Sequence, residues 1–260
     1  MAKAAWKKFP YADKAYVFTG AALKKNWERL HRGDREPFPA DVEVQEAWRL
    51  HHQGEFHKAL EAGLAAGLDG YNAANKAAMI YANYIETDDK RKLTLFQEIS
   101  SRCEELQQVQ PKNANAYYIQ AYALGRYSQG ISVIKALAQG LGGKIKAALE
   151  TALKLDPKHA DAYSALGAYH AEVVDKVGAM IGKLTYGASK DVAVKHFESA
   201  LKLAPDSAIA CIEYANALVM LFGQARMDEA VKLYEKAAAA TPVDAMERLD
   251  VELAKSELED

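Results

Sequence analysis

Three segments in the second half of the chain end alike: "AALETALKLDP", "AVKHFESALKLAP" and "AVKLYEKAAAATP", closing at Pro157, Pro205 and Pro242. Counted with Pro111, the prolines stand 46, 48 and 37 residues apart. Self-similarity at this period constrains the fold more than any other feature. A unit of that size is a helical hairpin that cannot bury its apolar face alone, and stacked neighbours cover it. Proline is a natural stop for the second helix, because it lacks the N–H of the i to i−4 bond and clashes with the preceding turn. Ala193, Phe197, Ala200, Leu201 and Leu203 keep helical spacing up to Pro205. No sustained apolar–polar alternation occurs, so strands are not expected. The fold class read from this is all-α, a solenoid of helical hairpins.

The pattern resembles the tetratricopeptide repeat, whose 34 positions carry small residues at 8, 20 and 27, an aromatic near 24 and a proline at 32. Counted back from Pro205, Ala193, Phe197 and Ala200 fall on 20, 24 and 27; from Pro242 the same places hold Ala230, Tyr234 and Ala237. The match from Pro157 is looser, with Ile145, Leu149 and Ala152. "HADAYSALGAYH" supplies a first helix with Gly167 at the small position 8. The resemblance implies a right-handed α-solenoid. Residues 41–260 are expected to form about five hairpins plus a polar closing helix, "DAMERLDVELAKSELED". Residues 1–40 hold an N-terminal helix, with Tyr16, Leu23, Trp27 and Leu30 on one stripe, then the proline-bearing connector "DREPFPAD". That helix is expected to cap repeat 1, with a crossing of the concave groove as the alternative.

Repeats 3 and 4 exceed the motif by 12 and 14 residues. Ile131, Ile134 and Leu137 in one insert, and Val173, Val177, Met180, Ile181 and Leu184 in the other, keep helical spacing. Both first helices are therefore expected to run on and pack against each other. The stretch "GAYHAEVVDKVGAMIGKLTYGASKDVAVKHFESALKLAP" resembles two families, the regulators of microtubule dynamics and the T-component of TRAP-type transporter systems. In both, a long helix ends in an aromatic–Gly turn, here Tyr186-Gly187. The likeness spans roughly residues 110–240. It implies a partner- or ligand-binding role and transfers no catalytic residue.

The net charge of −2 and the absence of a long basic run argue against nucleic acid and against an anionic membrane as partner. Cys103 and Cys211 are too few for a disulfide framework and read as buried thiols. No signal peptide and no unbroken apolar run of membrane-spanning length is visible, so with Met1 as the native start the expected compartment is the cytoplasm. "GLGGKIK" at 140–146 lacks the Ser/Thr and the preceding strand of a phosphate loop. "HHQGEFH", with His51, His52 and His57, has no acidic or cysteine partner at metal spacing, so the histidines read as surface or interface groups. No metal, cofactor or catalytic set is assigned, and the chain is read as a non-enzyme.

The candidate site is the concave groove. First-helix positions place Asn83 of repeat 2 there, then Asn115, Tyr118, Tyr122 and Arg126 of repeat 3. Asp161, Ser164 and Glu172 follow from repeat 4, and Ile212 and Asn216 from repeat 5. Tyrosine beside arginine suits a recognition surface, since both bring large contact area and directional donors. The first functional reading is a non-catalytic adaptor that takes a protein or peptide partner in this groove. The alternative is a small-molecule or lipid carrier with an apolar tunnel at Ile134, Val177, Met180 and Ile181. A homo-oligomer joined through the inserts is a further use of the same segments.

Overall fold

The computed structural model describes residues 5–259, and among them there is no strand. The helices are α1 Ala21–Leu30, α2 Val42–Gln53, α3 Phe56–Ala65, α4 Tyr71–Tyr84, α5 Asp89–Val109, α6 Ala114–Gln129 and α7 Val133–Ala138. They continue with α8 Leu141–Leu155, α9 Ala160–Val177, the one-turn α10 Ala179–Ile181, α11 Lys190–Leu203, α12 Ala208–Phe222, α13 Met227–Ala238 and α14 Ala245–Glu259. Five hairpins stack in chain order: α2/α3, α4/α5, α6/α8, α9/α11 and α12/α13.

Local chemistry sets the helix starts. Two residues after Pro111, Pro157 and Pro205 stand Asn113, His159 and Ser207, and each side chain accepts a backbone N–H of the helix it opens. Asp88 caps α5 in the same way. Such caps satisfy donors that a helix start leaves orphaned, at about 1 kcal/mol each. The repeat's small–aromatic pairing is visible at Gly167, where an added Cβ would lie 2.7 Å from the Phe197 ring. Only a glycine lets α9 sit that close to α11. Phe197, Ala193 and Ala200 are fully buried, and a phenylalanine so placed contributes about 1.5–3 kcal/mol by leaving water.

Three expectations change. The inserts are not two matched helix extensions. Gly130 ends α6, Ser132 caps the separate short α7, and a turn at Gln139-Gly140 starts α8. The other insert lengthens α9 to 18 residues, then breaks at Gly178 into α10 and a wide turn over Gly182–Tyr186. The chain reverses at Tyr186-Gly187, with the Ala188 N–H on the Gly182 carbonyl at 2.9 Å. Second, the N-terminal helix begins only at Ala21; Tyr16 is buried from a 3-10 turn, Lys14–Tyr16. Third, α14 is no polar end cap. It packs on α12 and α13 and reaches back to α2, burying Ala245, Leu249, Val251 and Ala254.

Within Ala208–Ala238 an 18-residue window has a mean hydropathy of 1.4, enough by length and composition for a membrane span, yet half of that window is buried. Gly223 divides the stretch into α12 and α13.

Candidate functional site

The concave face divides into two halves. The first is filled by the chain itself. α1 packs on repeat 1 through Trp27 and Trp48, whose rings meet edge to face at 5.9 Å. The last residues of α1 and those after it then cross the groove as a strap, residues 29–36. Arg29 pairs with Glu247 at the start of α14, and Arg32 reaches Asp206 at 2.7 Å. The Gly33 carbonyl accepts the Asp161 N–H at 3.1 Å. Arg35 holds Asp156 at 2.7 Å, and Asp34 meets Lys76 at 3.1 Å. Glu36 accepts hydrogen bonds from Asn72 and Asn115. Asn115 in turn accepts one from His159, whose other ring nitrogen caps α9. The strap therefore touches repeats 1 to 4, the start of repeat 5 and α14.

Lys76 and Asp34 are 3% and 6% exposed. Burial opposes both charges, but their mutual attraction wins: Asp34, helped by His31, lies well below the usual carboxylate range, and Lys76 lies well above its ordinary value. For Glu36, burial and the neighbouring Asp34 raise the carboxyl to about 7, against the pull of Asn72 and Asn115. On α14, burial lifts Asp250 to about 8 despite the Tyr84 hydroxyl that donates to it.

His51 and His52 are buried, which corrects the surface reading of both. Their acidic neighbour was 192 residues away in sequence: Asp244 lies 2.8 Å from His52 Nδ1. His51, His52 and Asp244 present donor atoms within 4.8 Å of one another. His52 spends Nδ1 on Asp244 and Nε2 on His31, so it has no lone pair for an ion while the strap is seated.

The second half of the face is open. A cavity of about 390 Å³ lies between α6, α7, α8, α9 and α12. Leu137, Leu141, Ile145, Leu149, Val173 and Val177 give it an apolar wall, with Tyr122, Tyr169 and Tyr186 beside them. Its polar edge holds Arg126, Gln129, Glu172, Lys176 and Glu213. Arg126 pairs with Glu213 at 2.6 Å and sits 5.2 Å over the Tyr122 ring. Burial raises Tyr122 above its ordinary value.

The groove residues read from the sequence separate accordingly. Tyr118, Tyr122, Arg126, Asp161, Ser164 and Glu172 line the chamber, with Tyr118 and Asp161 also facing the strap. Asn115 lies under the strap, bound to Glu36. Asn83 is half-buried on α4, away from the chamber lining. Ile212 is not a groove residue, because it packs with Ala237, Val251 and Ala254. Asn216 is likewise misplaced: it accepts from the Tyr234 hydroxyl of α13. On α12 the chamber is lined by Ile209, at the motif's groove position 2, and by Glu213, the residue after Ile212. The signal was Glu213 itself, a lone acid in an apolar helix. Of the tunnel residues, Val177 lines the chamber, whereas Ile134, Met180 and Ile181 point outward and are 79%, 74% and 53% exposed.

A crystal structure of a thermophilic TPR protein from Thermus thermophilus superposes with a TM-score of 0.57 at 18% identity, covering 82% of this chain and 99% of that one. At that identity the likeness shows the fold, a tetratricopeptide-like array. No match is found among curated protein sequences. The family model described as regulator of microtubule dynamics protein 1-3 matches residues 44–259, and the chain belongs to that family.

Proposed function

We propose that the protein is a non-catalytic binding module that takes a bulky apolar segment of a protein partner in the chamber beside α9. The single observation behind this is the contrast within one face. The chain fills half of its own groove and leaves an apolar chamber of about 390 Å³ in the other half, within the size range of ligand sites. Arg126, Glu172 and Lys176 at the edge supply polar and charged contacts for the partner's backbone and side chains. The fold and the family are those of binding proteins, and no cluster in the chamber joins a nucleophile to a base.

Gly125 gives the test. It faces the chamber and an added Cβ there meets nothing within 4 Å, so Gly125→Phe fills the space without moving the helix. A photo-crosslinking residue at the exposed rim position Lys176 should yield a discrete partner band in cells that vanishes in Gly125→Phe. A band that persists removes the chamber from partner binding.

The enclosing walls of α6, α7, α8 and α9 favour a second reading, a carrier of an apolar small molecule. Native mass spectrometry of the purified protein distinguishes it. A carrier shows a bound mass of a few hundred daltons that Gly125→Phe expels; an adaptor shows none.

A further inference from the structure

The strap is held by a chain of side chains whose protons can be counted. Asp34 Oδ1 lies 2.9 Å from His31 Nδ1, and His31 Nε2 lies 3.2 Å from His52 Nε2. His52 Nδ1 lies 2.8 Å from Asp244 Oδ2. All four groups are buried. Three hydrogen bonds in series need three protons. Two ionised carboxylates and two neutral imidazoles carry only two. With both Nδ1–H groups donated to carboxylates, two bare Nε2 lone pairs would face each other at 3.2 Å, which is repulsive. One more proton closes the row, wherever along it that proton resides.

Charge permits this. The four-group row with its extra proton carries one net negative charge, and Lys76 bonds the other oxygen of Asp34 at 3.1 Å. The other titratable groups around the row are His51 on α2, Glu36 and His159 beside Asp34, Asp161 of α9 beyond Lys76, and Tyr16, Asp250 and Glu247 toward Asp244, with Glu247 itself paired with Arg29. Burial lowers the proton affinity of His31 against the pull of Asp34. The four residues come from three separate parts of the chain: the strap, α2 and the start of α14.

We propose that the strap is a proton-latched cover of the filled half of the groove, closed by the proton shared along Asp34–His31–His52–Asp244. It goes beyond the chamber reading, since it concerns the surface under the strap and stands whether or not the chamber binds anything. With the proton in place, the strap is tied to repeat 1 and to α14. As pH rises and the proton leaves, the His31–His52 contact turns repulsive. The strap then lifts and bares Lys76, Asn115 and Asp161, an alternating charged and amide surface suited to an extended acidic–basic peptide. Glu36 titrates in the same direction, because its neutral form suits the buried site; the test separates the two.

Hydrogen exchange on the full chain reads the latch at two amides, Arg35 N–H on the His31 carbonyl at 2.8 Å and Asp161 N–H on the Gly33 carbonyl at 3.1 Å. After correction for intrinsic chemistry, both should exchange at least tenfold faster at pH 9 than at pH 6. His31→Gln and His52→Gln should exchange fast at both pH values, with helical circular dichroism unchanged. Glu36→Gln should keep at least half of the logarithmic slope, and His170→Gln, remote from the strap, all of it. A flat wild-type profile overturns the proposal. So does a wild-type slope in His31→Gln, or a slope abolished by Glu36→Gln. Opening by EDTA at pH 6 overturns it in favour of a bound metal.

Discussion

The two halves of the concave face solve opposite problems, one lined from the first helices α4, α6 and α9, the other from α6, α9 and α12 together with α7 and α8. Under the strap the lining is charged and amide-rich: Asn72, Lys76, Asn115 and Asp161, each met by a group of the strap or a neighbour. In the chamber the lining is mainly apolar and is covered by no segment of the described chain. A buried charge must be paired to be tolerated, so the first half is complete only with its cover on. An apolar wall makes no such demand, so the second half can stand open. The same scaffold thus holds one site that is already filled and one that is available.

The sharpest way to break this comparison is to remove one charge from each half. Lys76→Met leaves Asp34 buried without its cation and should cost about 3–5 kcal/mol in urea unfolding at pH 7. Adding Asp34→Asn should recover more than half of the loss. Arg126→Met at the chamber edge removes a pair about a quarter exposed and should cost about 1 kcal/mol or less. Equal costs would mean that the halves do not differ in kind.

Asp250 sharpens it next. It lies on the filled side beside Tyr84, with its carboxyl raised to about 8. The sign follows from proton counts. Between pH 4 and 8 the folded chain keeps a proton that the unfolded chain has given up, so this contribution is complete below pH 4 and is lost as pH climbs toward 8. Asp250→Asn keeps the acceptor for Tyr84 without the charge. It should leave stability unchanged at pH 4 and raise it by up to about 5 kcal/mol at pH 8, since each tenfold change in proton affinity is worth about 1.4 kcal/mol. Thermal unfolding across that range checks it; a gain equal at both pH values rejects the buried neutral carboxyl.

The sequence told the two halves apart only in part, for physical reasons. The hairpins were legible because their determinants are local: the Pro205 stop, the small residue at Gly167 and the aromatic at Phe197 lie at fixed offsets. The inserts misled because Gly130 and Ser132, a helix end and a cap, weigh more than the apolar spacing of Ile131 and Ile134 that runs through them. Ile212 and Glu213 differ by one step of phase, about 100° around a helix, and α14, which claims Ile212, lies too far along the chain to enter a motif count. The strap left no local trace, since Arg29 and Glu247 are 218 residues apart. One clue was present. Lys76 is the lone charge in a run buried from Asn72 to Ala82, and a lysine there requires an acid from elsewhere.

The gentlest test sets two glycines against each other. An added Cβ at Gly33 in the strap would lie 2.2 Å from Asp161 Oδ1, and that carboxylate is held near Lys76. At Gly125 in the chamber wall the same atom meets nothing within 4 Å. Neither residue has a positive φ, so the backbone alone forbids neither change. Gly33→Ala should therefore cost about 1–3 kcal/mol through overpacking. Gly125→Ala should gain about 0.5–1 kcal/mol, because glycine inside a helix is the less favourable residue. One methyl group added to each half should thus move stability in opposite directions. A loss at Gly125 would mean that the chamber is already packed shut, and a gain at Gly33 would mean that the strap is not seated against α9.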